Sequence, residues 1–251
     1  MKRGFNKNLN VKFFDNWSRS MAWILGWLYA DGSLIDSNGT FVLALIDKKI
    51  IETFKKLLNA DNKIIEVKIK SGYFYRFSLL NNHLFNALIK LGLTPRKSKT
   101  MTFPEMSSDY LRDFIRGYFE GDGCFVYIKN YYNSKYVGSL TTSFCSGSKS
   151  FLKTLRDKLI ESGFKPQNVF RNTPKTAYIL RITGLDFPRW IYKNKGEIYL
   201  QRKYDKFLKV EKSLKNKIDI KEFHKGKHYS LKTEFKNGHP AWNKGLKKRS
   251  D

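Results

Sequence analysis

Cysteine is scarce: Cys124 and Cys145 are the only two in 251 residues. Two cannot build a disulfide framework, and with four histidines they leave little for a zinc module. Both read as small buried apolar residues in a reducing compartment. Long apolar runs are absent too. The longest, Met21 to Ala30, is too short to span a bilayer. The N-terminus, MKRGFNKNLNVKFFDNW, has no apolar core and no small-residue cleavage site, so it does not read as a secretory signal. Acidic residues are outnumbered, 22 against 48 Lys and Arg, for a net charge of +26. Solubility does not require such an excess, and a polyanion partner is expected, nucleic acid before an anionic membrane. A membrane binder would gather its charge on an amphipathic helix or a juxtamembrane run, whereas here it is spread along the chain. Hydrophobic residues at 41% and aromatics at 16% exclude global disorder. The length suits one large domain or two smaller ones.

The chain repeats itself. Residues 22–33, AWILGWLYADGS, match residues 113–124, DFIRGYFEGDGC, at an offset of 91. Gly26 and Ala30 correspond to Gly117 and Gly121, and Asp31-Gly32 to Asp122-Gly123. Each copy reads as an apolar helix ending in Asp-Gly. In the first half, strands at 33–35 and 40–45 flank Asp36-Ser37-Asn38-Gly39, whose Asn-Gly is a hairpin signal. A helix capped by Asp47 follows, then strands at 66–70 and 73–80, with Glu66, Lys68 and Lys70 forming a basic face on a half-buried strand. In the second half the strands are 125–129, 136–144, 168–171 and 177–183, and Ser148 caps the helix that ends before Gly163. Each half closes with a helix, at 82–91 and 187–192, and then a basic segment. The expected fold is α+β: two pseudo-symmetric αββαββα halves, each with a four-stranded antiparallel sheet. The domain plan is an N-terminal arm (1–17), two halves (18–104 and 105–211) and a basic extension (212–251). A pseudo-twofold in one chain suits the symmetry of duplex DNA.

The Asp-Gly ends carry the chemistry. A helix C-terminus bears a partial negative charge, so an aspartate in the last turn is disfavoured there. The chain places one twice, at equivalent positions. A bound cation would satisfy the carboxylates and the free carbonyls of both helix ends together. Gly32 and Gly123 suit a left-handed closing residue. The small residues Gly26/Ala30 and Gly117/Gly121 lie four apart on one helical face and allow close backbone approach. Such packing would bring Asp31 and Asp122 together as a metal-dependent phosphoryl-transfer pair.

WILGWLYADG and FIRGYFEGDG resemble the two motifs of the LAGLIDADG homing endonucleases in their single-chain form. The resemblance spans roughly residues 18–210. It implies that Asp31 and Asp122 bind Mg²⁺ with help from the carbonyls of Ala30 and Gly121. Mn²⁺ would substitute, and Ca²⁺ would support binding without cleavage. It also implies a basic residue near each scissile phosphate, matched by Lys97 in PRKS and Lys203 in QRKY, with Lys99 and Arg202 as neighbouring alternatives. Tyr29 stands where the motif often has its first acid, while Glu120 keeps it. Arg116 replaces a small residue and is expected to face DNA, solvent or an acid.

The implied function is site-specific cleavage of double-stranded DNA by a monomer that needs no protein partner. Each sheet would lie along a major groove. Lys68, Lys70, Arg76, Lys129, Lys135, Arg171, Lys175 and Arg181 are the expected contacts, to phosphates more often than to bases. Residues 212–251 hold twelve Lys and Arg against four acids. Their FKNGHPAWNKG string, with Trp242, Asn243 and Lys244, resembles short basic modules found near phage and intron nucleases, and reads as a DNA-wrapping extension. An RNA-binding intron maturase and a cleavage-inactive DNA-binding regulator are the alternatives. The expected location is cytoplasm or nucleoid, or an organelle matrix, and not outside the cell.

Overall fold

Ser18 begins the first helix by accepting the N–H of Met21 at 3.1 Å on its side chain, and α1 runs over Arg19–Asp31. Ser107 does the same for α4, Ser108–Asp122. Both helices are buried along most of their length, because apolar residues surround them on every side. The computed structural model describes residue 6 and residues 8–70, 72–132, 135–173 and 176–215. Lys175, Trp242, Asn243 and Lys244 lie outside the described residues.

After each motif helix the chain builds the same unit. In the first half β1 (Gly32–Ile35), β2 (Thr40–Leu45), α2 (Lys48–Leu57), β3 (Ile65–Ile69), β4 (Gly72–Leu80) and α3 (Asn82–Lys90) follow α1. In the second half β5 (Cys124–Tyr132), β6 (Lys135–Ser146), α5 (Lys149–Glu161), β7 (Phe170–Arg171), β8 (Tyr178–Thr183) and α6 (Asp186–Tyr192) follow α4. The antiparallel sheets have orders β1-β2-β4-β3 and β5-β6-β8-β7. The αββαββα order read from the sequence is therefore the order of the fold. Alternation sends Phe41, Leu43, Phe77 and Leu79 from the first sheet, and Phe125, Leu140, Phe144 and Leu180 from the second, into one continuous core. The other face of each sheet points away from the helices.

Several local expectations change. Gly32 and Gly123 are extended, with φ of −76° and −86°, rather than left-handed. Glycine is needed there for space: a Cβ would stand 2.6 Å from the carbonyl of Leu28 or of Phe119. Asp47 precedes α2 but makes no capping bond; it pairs with Arg202 in the other half at 3.0 Å. Ser148 caps α5 as expected, through the N–H of Phe151. Strand β3 is an edge strand with Ile65 and Ile69 exposed, not half-buried. Both cysteines are exposed rather than buried, because odd register places Cys124 and Cys145 on the outward face of the second sheet. The basic segment after α6 becomes a further helix, α7 (Gln201–Lys215), which packs Phe207 and Val210 into the core. Arg116 faces neither DNA nor solvent. It is 1% exposed and binds Asp113 one turn earlier at 2.8 Å. No helix among the described residues is long and apolar enough to cross a membrane.

Candidate active site

The two motif helices touch through their backbones. A Cβ added to Gly26 would stand 2.2 Å from the carbonyl oxygen of Phe114, and one on Gly117 would stand 2.1 Å from that of Trp23. No side chain fits at either point. One turn on, a Cβ on Gly121 would meet the Cβ of Ala30 at 2.4 Å and Oδ2 of Asp31 at 2.8 Å. The small-residue spacing thus delivers the two C-termini side by side, with Asp31 and Asp122 at the ends, open to solvent on one side and enclosed on the other.

These carboxyls are electrostatically frustrated. Partial burial raises Asp31 above the usual carboxylate range, and Lys203 is the cation that most opposes the rise. Burial, with the charge of Asp31 added, pushes Asp122 up to about 6; Lys97 opposes this most. Each acid is thus countered chiefly by the lysine of the other half. The site is composite rather than two separate centres.

The lysines come from outside the motif. Residues 97–99 form a short 3₁₀ turn after α3, and Lys203 lies in the first turn of α7. Both are buried. Nζ of Lys97 donates to the carbonyl oxygen of Gly32 and, at 3.5 Å, to that of Ala30. Nζ of Lys203 donates to the carbonyls of Phe119 at 2.7 Å, Gly121 at 3.2 Å and Gly123. An ammonium at a helix C-terminus is well placed against the dipole. Burial lowers Lys97 and brings Lys203 down to about 8. Lys97 and Lys203 thus point at the helix ends, whereas Lys99 is exposed and Arg202 is engaged with Asp47. The same lysines occupy one side of the Ala30 and Gly121 carbonyls, and each carbonyl keeps a second lone pair.

Sequence reasoning missed the ties behind these groups. Tyr29 donates its hydroxyl to the carbonyl of Leu91 at 2.8 Å, anchoring α1 to the segment that leads to Lys97. Its counterpart Glu120 accepts the indole N–H of Trp23 at 2.7 Å and the backbone N–H of Leu200, just before Lys203. The shared motif position was the available signal. Full burial raises Glu120 to about 7. Among the described residues no group of three or more His, Cys, Asp or Glu is placed to hold a metal. The available donors are two carboxylates and the helix-end carbonyls.

The basic residues expected at DNA separate by register. Arg76 pairs with Ala44 and Ile65, and Arg181 with Ser143, so both lie on the outward faces. Lys68 pairs with Tyr73 and Arg171 with Tyr178, on the opposite parity and at exposed sheet ends. The basic face expected of β3 is thus not the face of Arg76. Lys70 lies just past β3 and is exposed. Lys129 lies in β5 opposite Gly138, and Lys135 opens β6 opposite Tyr132.

Residues 109–196 match the family described as a LAGLIDADG-like domain. No curated protein matches the chain by sequence. Among solved structures, the LAGLIDADG homing endonuclease I-LtrWI bound to target DNA aligns with a TM-score of 0.52 at 17% identity, covering 83% of this chain and 92% of that one. The meganuclease I-AabMI bound to uncleaved DNA aligns at 0.56 and 14%, covering 78% and 91%. I-SmaMI bound to an uncleaved target with calcium aligns at 0.51 and 13%, covering 80% and 93%. At these identities the likeness is one of fold.

Proposed function

We infer, from a chain whose residues 109–196 match the LAGLIDADG-like family and whose architecture is the LAGLIDADG homing-endonuclease fold, that its activity is site-specific cleavage of double-stranded DNA. The observation that carries this reading is the juxtaposition of Asp31 and Asp122 at the touching ends of α1 and α4. Two sheets flank that point, in a chain of net charge +26.

The donor set is all hard oxygen: two carboxylates and the carbonyls of Ala30 and Gly121. That set fits Mg²⁺, and a cation there offsets the burial that raises both carboxyls and the charge of Asp31 that adds to the rise of Asp122. Bound Mg²⁺ would supply Lewis acidity and a more acidic water. Mn²⁺ is expected to replace it, and Ca²⁺ to support binding alone.

The chain's own groups do the rest. The sheets and their arginines hold the duplex so that a phosphodiester of each strand sits beside the carboxylate pair. Lys97 and Lys203, fixed on the helix-end carbonyls, present positive charge to the phosphorane as negative charge builds. A water oxygen bonds to phosphorus while the bond to one sugar oxygen breaks. That oxygen takes up a proton, and the attacking water loses one to solvent. Tyr29 and Glu120 act as positioning residues, since neither faces the groove.

Cleavage of a randomised duplex library, sequenced at the cut ends, tests this. A single long, partly asymmetric consensus cut with Mg²⁺, not with Ca²⁺, and lost in Asp31→Asn supports the reading. Enrichment by binding without cutting overturns it in favour of a DNA-binding regulator. Neither result points to intron RNA and a maturase.

A further inference from the structure

The outward faces of the two sheets differ in chemistry. Residues paired across an antiparallel ladder share a side, so register defines each face. In the first sheet Ile35, Thr40 and Leu80 form one row, and Ala44, Arg76 and Ile65 another. Val67 pairs with Phe74, and Ile69 with Gly72, on the same side. Ile65 is 53% exposed, Leu80 43%, Ile69 41% and Ile35 37%. Among the described residues Arg76 is the sole charge on that face. In the second sheet the equivalent rows are Cys124, Ser143 and Arg181, then Val126, Thr141 and Thr183. Hydroxyls and two thiols, Cys124 and Cys145, dominate there beside Val126 and Ile179, with Val126 39% exposed and the Thr141 and Thr183 oxygens 3.2 Å apart. Phe170 on that face lies against the Arg181 guanidinium at 5.0 Å.

Four large aliphatics exposed along one sheet face, three of them on its edge strands, mark an interaction surface and a hazard if left bare. The net charge of +26 points to a polyanion as the partner. The DNA major groove joins a polyanionic rim to an apolar floor group wide enough apart for strands to enter. That apolar group is the 5-methyl of thymine.

We propose that the outward face of the first sheet reads thymine methyls, so that the DNA target is chemically lopsided. The half-site under the first sheet is thymine-rich and recognised by apolar contact through Ile65, Ile69, Ile35 and Leu80. The half-site under the second sheet is recognised by hydrogen bonds. This inference rests on the endonuclease reading and names the chemistry of its substrate.

The test uses the full chain and a cleavable target obtained by library selection. Deoxyuridine, which lacks only the methyl, replaces every thymidine in one half-site at a time. Each lost methyl should weaken binding about fourfold, the factor that ~0.8 kcal/mol per buried CH₂ converts to. Affinity should therefore fall tenfold or more for one half and change little for the other. The double variant Ile65→Ser, Ile69→Ser alters exposed edge-strand residues, so the fold should persist, and it should lose most of the discrimination between thymidine and deoxyuridine. Equal tolerance in both halves, equal loss in both, or a loss the variant does not reduce overturns the proposal while cutting of the unmodified target still upholds the endonuclease. Failure to bind any duplex removes both.

Discussion

Gly117 lies against the backbone of Trp23, where an added Cβ would stand 2.1 Å from the Trp23 carbonyl oxygen and 3.0 Å from its carbonyl carbon. Backbone atoms cannot step aside as a flexible side chain can. Gly117→Ala must therefore separate α1 from α4 and shift Asp122 relative to Asp31. The expected destabilisation is about 1–3 kcal/mol, the range for overpacking a filled interior. Cleavage should fall further than DNA affinity, because the sheets are less disturbed than the helix ends. Denaturant midpoints with parallel binding and cleavage assays check this. A variant as stable as the parent would show that the contact is looser than described.

Legibility followed period and repetition. The αββαββα order was readable because alternation and helical spacing recur at equivalent places in both halves, and two copies of one pattern support each other. Gly26, Gly117, Asp31 and Asp122 were readable because spacing within one helix fixes their common face. Helix α7 was not, since Tyr199–Lys203 looks like a solvated basic run, yet Leu200, Phe207 and Val210 draw it inward. That each acid is opposed most by the lysine of the other half depends on how the halves dock. The exposure of Cys124 and Cys145 depends on strand register, which a one-residue slip would have reversed.

Glu120 makes stability pH-dependent. Its carboxyl is raised from 4.5 to about 7 by complete burial. An acid raised on folding contributes stability that is full below its unfolded value and lost as pH rises through its folded one. The loss should therefore run from about pH 4.5 to about 7 and amount to about 3 kcal/mol. Glu120→Gln keeps an acceptor for the Trp23 indole and removes the titration. Its unfolding free energy should stay flatter across that window. A parallel pH profile for parent and variant would assign the effect elsewhere.

Removing the repulsion between the two acids should separate stability from function. With Asp122 raised to about 6 by burial and by Asp31, the metal-free protein loses stability as pH rises from about 4 to about 6. Mg²⁺ should restore it above that window and have little effect below it. Asp31→Asn should raise the melting temperature of the metal-free protein by roughly 2–4 °C at pH 7, abolish the Mg²⁺-induced rise and abolish cleavage. Thermal unfolding with Mg²⁺ or a chelator at pH 5 and 7.5 measures this. An unchanged Mg²⁺ response in the variant would place the cation elsewhere.

Lys203 joins three carbonyls at the end of α4 and reaches the acid of the other half. Lys203→Met preserves bulk and removes the charge. Cleavage should drop about 10²–10³-fold, in line with loss of one preorganised group that stabilises transition-state charge. DNA affinity should change far less, since the ammonium is buried on the helix-end carbonyls and not on a sheet face. The lysine is held down to about 8 by burial, so the parent's cleavage should decline as pH rises through about 8 while Lys203 loses its proton. The variant should lack that decline, and a persisting decline would assign it to another group.

Cys124 and Cys145 offer a chemical footprint of the second sheet's outward face. Both are exposed, and Cys124 follows Asp122 by two residues. Burial, together with the charge of Asp122, raises the Cys145 thiol, so its thiolate fraction at neutral pH is small and its alkylation slow. If the duplex lies on this face, target DNA with Ca²⁺ should protect both thiols from iodoacetamide by at least tenfold in rate. Prior alkylation should weaken binding, because a carboxamidomethyl group on either sulfur stands where a groove edge must approach. Cys124→Ser with Cys145→Ser should bind and cut normally and ignore the reagent. Mass spectrometry of the labelled peptides gives the rates, and equal labelling with and without DNA would move the duplex off the second sheet.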